Sequence, residues 1–216
     1  MSESVVRITG QKTSYQGTGH LLGVRQNFVR LAGCSVKECH IRQYCDEPLS
    51  LNRHSGSEKD IQGVIDLALG EVGRGGWLHV TGGEPTDQPE ALERLLALAH
   101  REGLRVHLQT AGIRSVSLPF DWITVSPKEP ARKLHQPHGH ELIVVYDGHD
   151  LEELRDYENQ TRFWFYYLVP RWTEAHWRAG DAGENAKETV TAIDRLNSEG
   201  GDWRLTLQAH KHLSIY

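Results

Sequence analysis

The sequence predicts an α/β fold, a mainly parallel sheet or truncated, partial (β/α) barrel, in one domain spanning residues 1–216. Three observations carry this. Short apolar runs alternate with segments of helical periodicity. At 216 residues the chain is short for a complete eight-unit barrel, which takes about 250. Polar and glycine-containing motifs sit where the expected strands end, at Gly33–Cys45, Thr81–Glu84, Gln109–Gly112 and Ser126–Lys128. In barrel-like and open α/β folds, active sites are built from loops at the carboxyl ends of strands. The four motifs are therefore expected on one rim.

In chain order, Asn27–Ala32 reads as a strand that runs into a cysteine-containing segment. Ser57–Leu69 places Ile61, Val64, Ile65 and Leu69 on one helical face, with Ser57 as its cap. Trp77–Val80 is a short strand ending in Thr81-Gly82-Gly83-Glu84-Pro85. Gln88–Arg101 is a helix with Leu92, Leu95, Leu96 and Ala99 on one face. Leu104–Gln109, Trp122–Val125, Leu142–Tyr146 and Phe163–Val169 are strands; Leu151–Tyr157 and Glu184–Asn197 are helical; Trp203–Leu207 is a last strand. The segment His135–His140 reads as a solvated loop, not a metal site. Apart from Glu141, no carboxylate or thiol stands beside its histidines at ligand spacing. The aromatic run Phe163–Tyr167 reads as a core strand.

Hydrophobic residues at 38% and charged residues at 25% are ordinary for a globular chain and exclude wholesale disorder. The longest apolar run, Phe163–Val169, is far short of the roughly 20 residues a membrane span needs. The opening residues MSESVVRITG show no basic start followed by an apolar stretch, so a cytoplasmic chain is expected. A net charge of −5 argues against nucleic acid as a partner.

The chain has three cysteines, Cys34, Cys39 and Cys45, all within twelve positions. An odd, clustered set suggests metal or catalytic chemistry more than a disulfide framework. Zinc with His40 as a fourth ligand is one reading, although the spacing is poor for paired knuckles. Three thiolates on an iron–sulfur cluster is the other, leaving one iron open. The cysteines alone do not separate the two.

Downstream of such a loop, Thr81-Gly82-Gly83-Glu84-Pro85 resembles the S-adenosylmethionine motif of radical SAM enzymes. The resemblance narrows to the 7-carboxy-7-deazaguanine synthase (QueE) family over nearly the whole chain. Ser14-Tyr-Gln-Gly-Thr-Gly19 is similar to that family's Ser-Ile-Gln-Gly-Glu-Gly, and Phe28-Val-Arg-Leu-Ala-Gly-Cys34 to its strand into the cluster loop. Tyr44-Cys-Asp46 resembles Trp-Cys-Asp, Ser126-Pro-Lys128 matches Ser-Pro-Lys, and Glu141-Leu-Ile-Val-Val145 resembles Glu-Leu-Lys-Val-Val. Residues Arg204–Tyr216 resemble the family's Leu-Gln-Thr-His-Lys-Tyr-Leu-Gly-Ile terminus. Three features depart: the spacing is Cys-x4-Cys-x5-Cys where Cys-x3-Cys-x2-Cys is usual, Thr18 replaces a glutamate, and Glu47 replaces a threonine that helps hold magnesium.

The resemblance implies a truncated barrel of the radical SAM type. Cys34, Cys39 and Cys45 are expected to ligate a [4Fe–4S] cluster. Tyr44, Asp46, Gly82, Gly83, Glu84, Ser126, Pro127 and Lys128 are expected to hold S-adenosylmethionine, with Glu84 receiving its amino group. Val169, Pro170, Arg171 and Trp172 are expected against its adenine. Tyr15, Gln16, Gly17, Arg30, Thr81, His210 and the terminal carboxylate of Tyr216 are expected around a pterin, 6-carboxy-5,6,7,8-tetrahydropterin. Glu47 is expected to hold magnesium in place of the threonine. A homodimer and an electron donor such as a flavodoxin or ferredoxin are implied, with no membrane or nucleic-acid partner. A radical SAM enzyme of different substrate and a zinc-stabilised binding protein are the competing readings.

Overall fold

The computed structural model describes residues 4–172 and 183–215. Its strands are β1 (Val5–Tyr15), β2 (Arg25–Leu31), β3 (Ser57–Asp60), β4 (Trp77–Gly82), β5 (Arg105–Thr110), β6 (Trp122–Val125), β7 (His138–Tyr146), β8 (Arg162–Pro170) and β9 (Trp203–Leu205). They form one sheet in the order β3-β1-β2-β4-β5-β6-β7-β8-β9. From β2 through β4 to β9 every pairing is parallel, and β1 runs antiparallel to β2 and β3. The edges β3 and β9 do not meet, so the sheet is the expected truncated barrel.

Helices α1 (Ile61–Val72), α2 (Pro89–Arg101), α3 (Leu151–Gln160) and α4 (Gly183–Ser198) follow strands as crossovers, and a short α5 (Ala209–His212) lies near the end of the described chain. Their apolar faces share one core with one face of the sheet. Ile65 of α1, Leu95 of α2, Leu154 of α3 and Leu196 of α4 are buried there with Val29, Leu78, Val106, Val125, Leu142 and Leu168. Burying each such side chain is worth about 1.5–3 kcal/mol.

Four expectations change. First, β1 was not expected. The register shift between Ile8 and Gly10 breaks the period-two pattern that would have revealed it. Second, Ser57 does not cap α1. Ser57–Asp60 is an exposed edge strand on β1, and Asp60 caps the helix by accepting from the Gly63 amide at 3.2 Å. Third, His135–His140 is not a solvated loop. Gln136 is buried, its amide oxygen accepting from Val116 N–H at 2.7 Å. His138–His140 open β7, and His140 Nδ1 accepts from Ile123 N–H at 2.9 Å. Fourth, the last strand stops at Leu205, two residues early.

Candidate active site

A cavity of about 260 Å³ opens at the carboxyl ends of the parallel strands. It collects motifs that are distant in sequence. Tyr15, Gln16, Gly17, Arg30, Cys34, Cys39, Tyr44, Cys45, Asp46, Glu47, Thr81, Gly82, Gly83, Ser126, Lys128, Val169, Arg171, Trp172 and His210 all line it. Glu84, Pro127 and Pro170 do not line it, and Tyr216 lies outside the described residues.

The three cysteines sit half-buried and free on the loop between β2 and β3. Burial pushes the thiols of Cys34 and Cys45 up, partly offset by backbone hydrogen bonds involving Val36 and Glu47. Among the described residues, no three His, Cys, Asp or Glu side chains converge as a single-ion site requires. That geometry does not supply the four donors around one point that structural zinc takes. Thiolates of a four-iron cluster each bind a different iron, so three free thiols lining one cavity fit it. The loop is tethered at both ends. Ser35 N–H and Oγ donate to Asp87 at 2.7 and 2.6 Å, and Asp87 also pairs with Arg114. Asp46 accepts from Gln208 at 3.3 Å and pairs with Lys211. The Arg171 guanidinium lies 4.4 Å from the Tyr44 ring centroid and bonds Asp147 at 2.6 Å.

The glycine turn works differently from the expectation. Gly82 has φ 120°, and side chains at 82 and 83 would strike the backbone of Leu31, Gly33 and Ser50. Gly83 N–H donates to Leu31 O at 2.9 Å and Glu84 N–H to Gly33 O at 2.8 Å. The glycines therefore seat the turn against the root of the cysteine loop as well as facing the cavity. Glu84 is 0% exposed. Its carboxylate accepts from Thr86 N–H at 3.1 Å, Thr86 Oγ1 and Thr110 Oγ1 at 2.7 Å, and Ala111 N–H at 2.8 Å. With four donors in place it is not among the residues that line the cavity. It ties the ends of β4 and β5 together. Lys128 donates to Ser126 O and Oγ at 2.7 and 2.6 Å. Burial lowers its pKa, opposed by Cys39, Asp46 and Cys45. Among the described residues the buried Trp172 indole N–H meets no acceptor, a donor on the cavity wall that fits a bound polar ligand.

On the opposite wall, Arg30 pairs with Glu47. Burial raises the Glu47 carboxyl, and Arg30 opposes the rise. Glu47 thus sits against Nε of the guanidinium expected to meet a substrate carboxylate, while Asp46 is held by Lys211. As they stand, these two carboxylates do not fit a magnesium site. The terminal segment folds back over β1: Ser14 Oγ donates to Ile215 O at 2.9 Å and Ala209 N–H to Gly17 O at 2.9 Å. A side chain at Gly17 would collide with the His210 ring. Among the described residues the buried Gln16 side-chain amide nitrogen has no hydrogen-bond partner.

The inner face of the sheet lies beneath the cavity: β7 and β8 give it an apolar wall of Ile143, Val145 and Val169, and β2 to β7 carry a buried polar network. His107 contacts Gln26 Oε1 at 3.1 Å and Thr124 Oγ1 at 2.8 Å; Thr124 donates to Glu141 at 2.6 Å. Glu141 also accepts from Trp122 Nε1 at 3.2 Å and His20 N–H at 2.7 Å. His79 stacks between Phe28 and His107, with ring centroids 4.6 and 3.9 Å away. Burial drives the His79 pKa down to about 3, and that of His107 well below its usual value.

Sequence reasoning placed Gln109 in a rim motif but gave it no role, and it missed His79, Asp87, Arg114, Gln208 and Lys211. Lys211 stands in the quoted terminal motif beside His210, and that adjacency was the available signal. His79 and Gln109 occupy alternate positions of apolar strands, where a polar residue reads as solvent-facing.

No family model matches the chain. It is 29% identical over 205 residues to the 7-carboxy-7-deazaguanine synthase of Synechocystis sp., covering 94% of this chain and 89% of the relative. It is 30% identical over 212 residues to the synthase of Flavobacterium psychrophilum, covering 93% and 88%. It is 30% identical over 204 residues to that of Bacteroides thetaiotaomicron, covering 94% of each. The crystal structure of QueE from Escherichia coli superposes with a TM-score of 0.66 at 20% identity, over 95% of each chain. That likeness supports the radical SAM fold.

Proposed function

The chain belongs to the 7-carboxy-7-deazaguanine synthase family, and from this premise we propose that it converts 6-carboxy-5,6,7,8-tetrahydropterin to 7-carboxy-7-deazaguanine. The reaction is a radical ring contraction with loss of ammonia. The observation that carries the reading is the meeting, in one cavity, of three free thiols, the glycine turn and Arg30. When bound, a [4Fe–4S] cluster and S-adenosylmethionine supply the radical that removes hydrogen from carbon 6 of the pterin.

The protein's own residues bind, orient and exclude. Cys34, Cys39 and Cys45 would hold the cluster on a loop kept in place by Asp87 and Lys211. Gly82, Gly83, Tyr44, Asp46, Ser126, Lys128 and the Val169–Trp172 wall would hold S-adenosylmethionine. Glu84 serves by keeping the glycine turn rigid. Gln16, Gly17, Thr81 and His210 would surround the pterin. Arg30 would take its carboxylate bidentately, which orients as well as attracts; Glu47 must first yield the guanidinium. Magnesium is assigned no step. A flavodoxin- or ferredoxin-type electron donor and a homodimer follow from the family reading. Among the described residues no helix is long and apolar enough to cross a membrane.

The Arg30–Glu47 pair also favours a second reading, the same cofactor chemistry on a different substrate, because the carboxylate position is already filled. One experiment decides. Protein prepared without oxygen is assayed for iron and sulfide, then incubated with S-adenosylmethionine, reductant and the carboxypterin. Formation of the deazapurine supports the first reading. Cleavage of S-adenosylmethionine without product supports the second. A colourless protein that holds zinc removes both.

A further inference from the structure

We propose that His79 is a specificity-determining residue which, with Gln109, reads the donor–acceptor edge of the substrate's heterocycle from the cavity floor. The inference rests on the pterin reading and extends it to two residues that the family motifs quoted above do not include.

The two histidines of the floor differ. His107 has both ring nitrogens engaged, by Gln26 and Thr124. His79 is 1% exposed and lines the cavity; among the described residues neither ring nitrogen makes a hydrogen bond of good geometry, and the Gln109 side chain is the polar group close enough to influence it. Gln109 is its polar neighbour and lines the same cavity. A buried polar group without a partner is rare in a folded protein and calls for water or a ligand group.

Register places His79 under the expected substrate position. It pairs across with Phe28, while Thr81 pairs with Arg30 one layer nearer the rim. A planar molecule anchored at Arg30 and Thr81 extends downward onto His79. The stack of Phe28, His79 and His107 holds the ring in place, so the group is preorganised. Burial and the nearby Arg30 keep it uncharged. An uncharged imidazole offers one donor and one acceptor, and a glutamine amide offers both. That set complements a fused heterocycle presenting adjacent N–H and carbonyl or amino groups. A site built to hydrogen-bond such groups discriminates strongly against analogues lacking them.

The test uses the full enzyme and His79→Phe, which keeps the stack and removes both hydrogen-bonding atoms. Binding of the carboxypterin and of two analogues, one without the 2-amino and one without the 4-oxo group, is measured by isothermal titration calorimetry under anaerobic conditions without reductant. Iron content and S-adenosylmethionine binding are measured alongside. The native enzyme is expected to favour the parent pterin over at least one analogue by about tenfold or more. His79→Phe should lose that preference while keeping iron and S-adenosylmethionine. Gln109→Leu, read in the same way, carries the test if His79→Phe does not fold. Unchanged discrimination in the variants overturns the proposal and leaves the proposed function standing. A native enzyme that binds no pterin overturns the proposed function, and the role of His79 with it.

Discussion

On β4, Leu78 and Val80 meet the helices while His79 and Thr81 face the cavity; on β5, Val106 and Leu108 join the same core, Gln109 lines the cavity, and His107 stacks on His79. One face of the sheet is a close-packed apolar core. The other carries histidine, glutamine, threonine and glutamate that are just as buried, among them His79, His107, Gln26, Thr124 and Glu141. Parallel strands covered on both faces by core read as continuous apolar runs. These strands alternate, because their inner face lines a working cavity. The comparison teaches that burial has two causes here. Outer-face residues are buried for stability. Inner-face residues are buried because the curving sheet and the loops enclose them, and each must find a partner or a ligand. Substitutions on the first face should cost folding and spare chemistry, and those around the cavity should do the reverse.

The largest effect is expected at the rim. Cys39→Ala should abolish the cluster and cleavage of S-adenosylmethionine while leaving the thermal midpoint within a few degrees of native apoprotein. Iron per chain and 5′-deoxyadenosine formation measure this. If both persist, the second ligand lies elsewhere, with His40 the first candidate.

On the outer face, Leu95→Ala removes a fully buried side chain of α2. It should cost about 2–5 kcal/mol in denaturant unfolding, with turnover per folded molecule unchanged. A large loss of turnover at unchanged stability would break the division between the faces.

The inner histidines should make stability sensitive to acid. His79 and His107 are held neutral in the fold and titrate near 6.5 when unfolded. Below that pH the unfolded chain binds more protons, so stability falls as pH drops from 6.5 toward 3. For His79 the loss is about 2 kcal/mol by pH 5, and His107 acts in the same direction. His79→Phe should flatten this slope by one histidine's share, as read from unfolding free energies at pH 7, 6 and 5. An unaltered slope would mean that His79 does not titrate as a buried neutral group.

Arg30→Lys keeps the charge and loses the fork. It should bind the cluster and S-adenosylmethionine normally, but reduce product formation about tenfold and release 5′-deoxyadenosine without product. Full turnover by Arg30→Ala would remove Arg30 from the substrate site.

The smallest effect is expected from Glu47→Thr. Freeing Arg30 from its present partner should lower the pterin KM severalfold, with kcat little changed. A magnesium titration should give coincident curves for the two forms. A steep requirement confined to the native enzyme would instead place Glu47 at a metal.

Much of this was legible before any fold. The helix faces carrying Leu92, Leu95, Leu96 and Ala99 were readable because helical periodicity is local. The rim was readable because parallel strands all deliver their carboxyl ends to one side. The thiols, the glycine turn and Ser126-Pro127-Lys128 declared themselves by residue type and order. What only tertiary structure decided concerns partners. Glu84 read as a ligand for an ammonium group, but Thr86, Thr110 and Ala111 saturate it. Glu47 and Arg30 read as separate functions and turned out to be one ion pair. His79 carried no signal, because a histidine in an alternating strand looks the same whether it faces water or a cavity. Sequence by itself determined which residues share a strand face and which chemistry the rim can hold. Tertiary structure decided which polar groups are already satisfied, because hydrogen bonds and ion pairs between residues far apart in the chain exist only once the sheet has curved and its loops have closed.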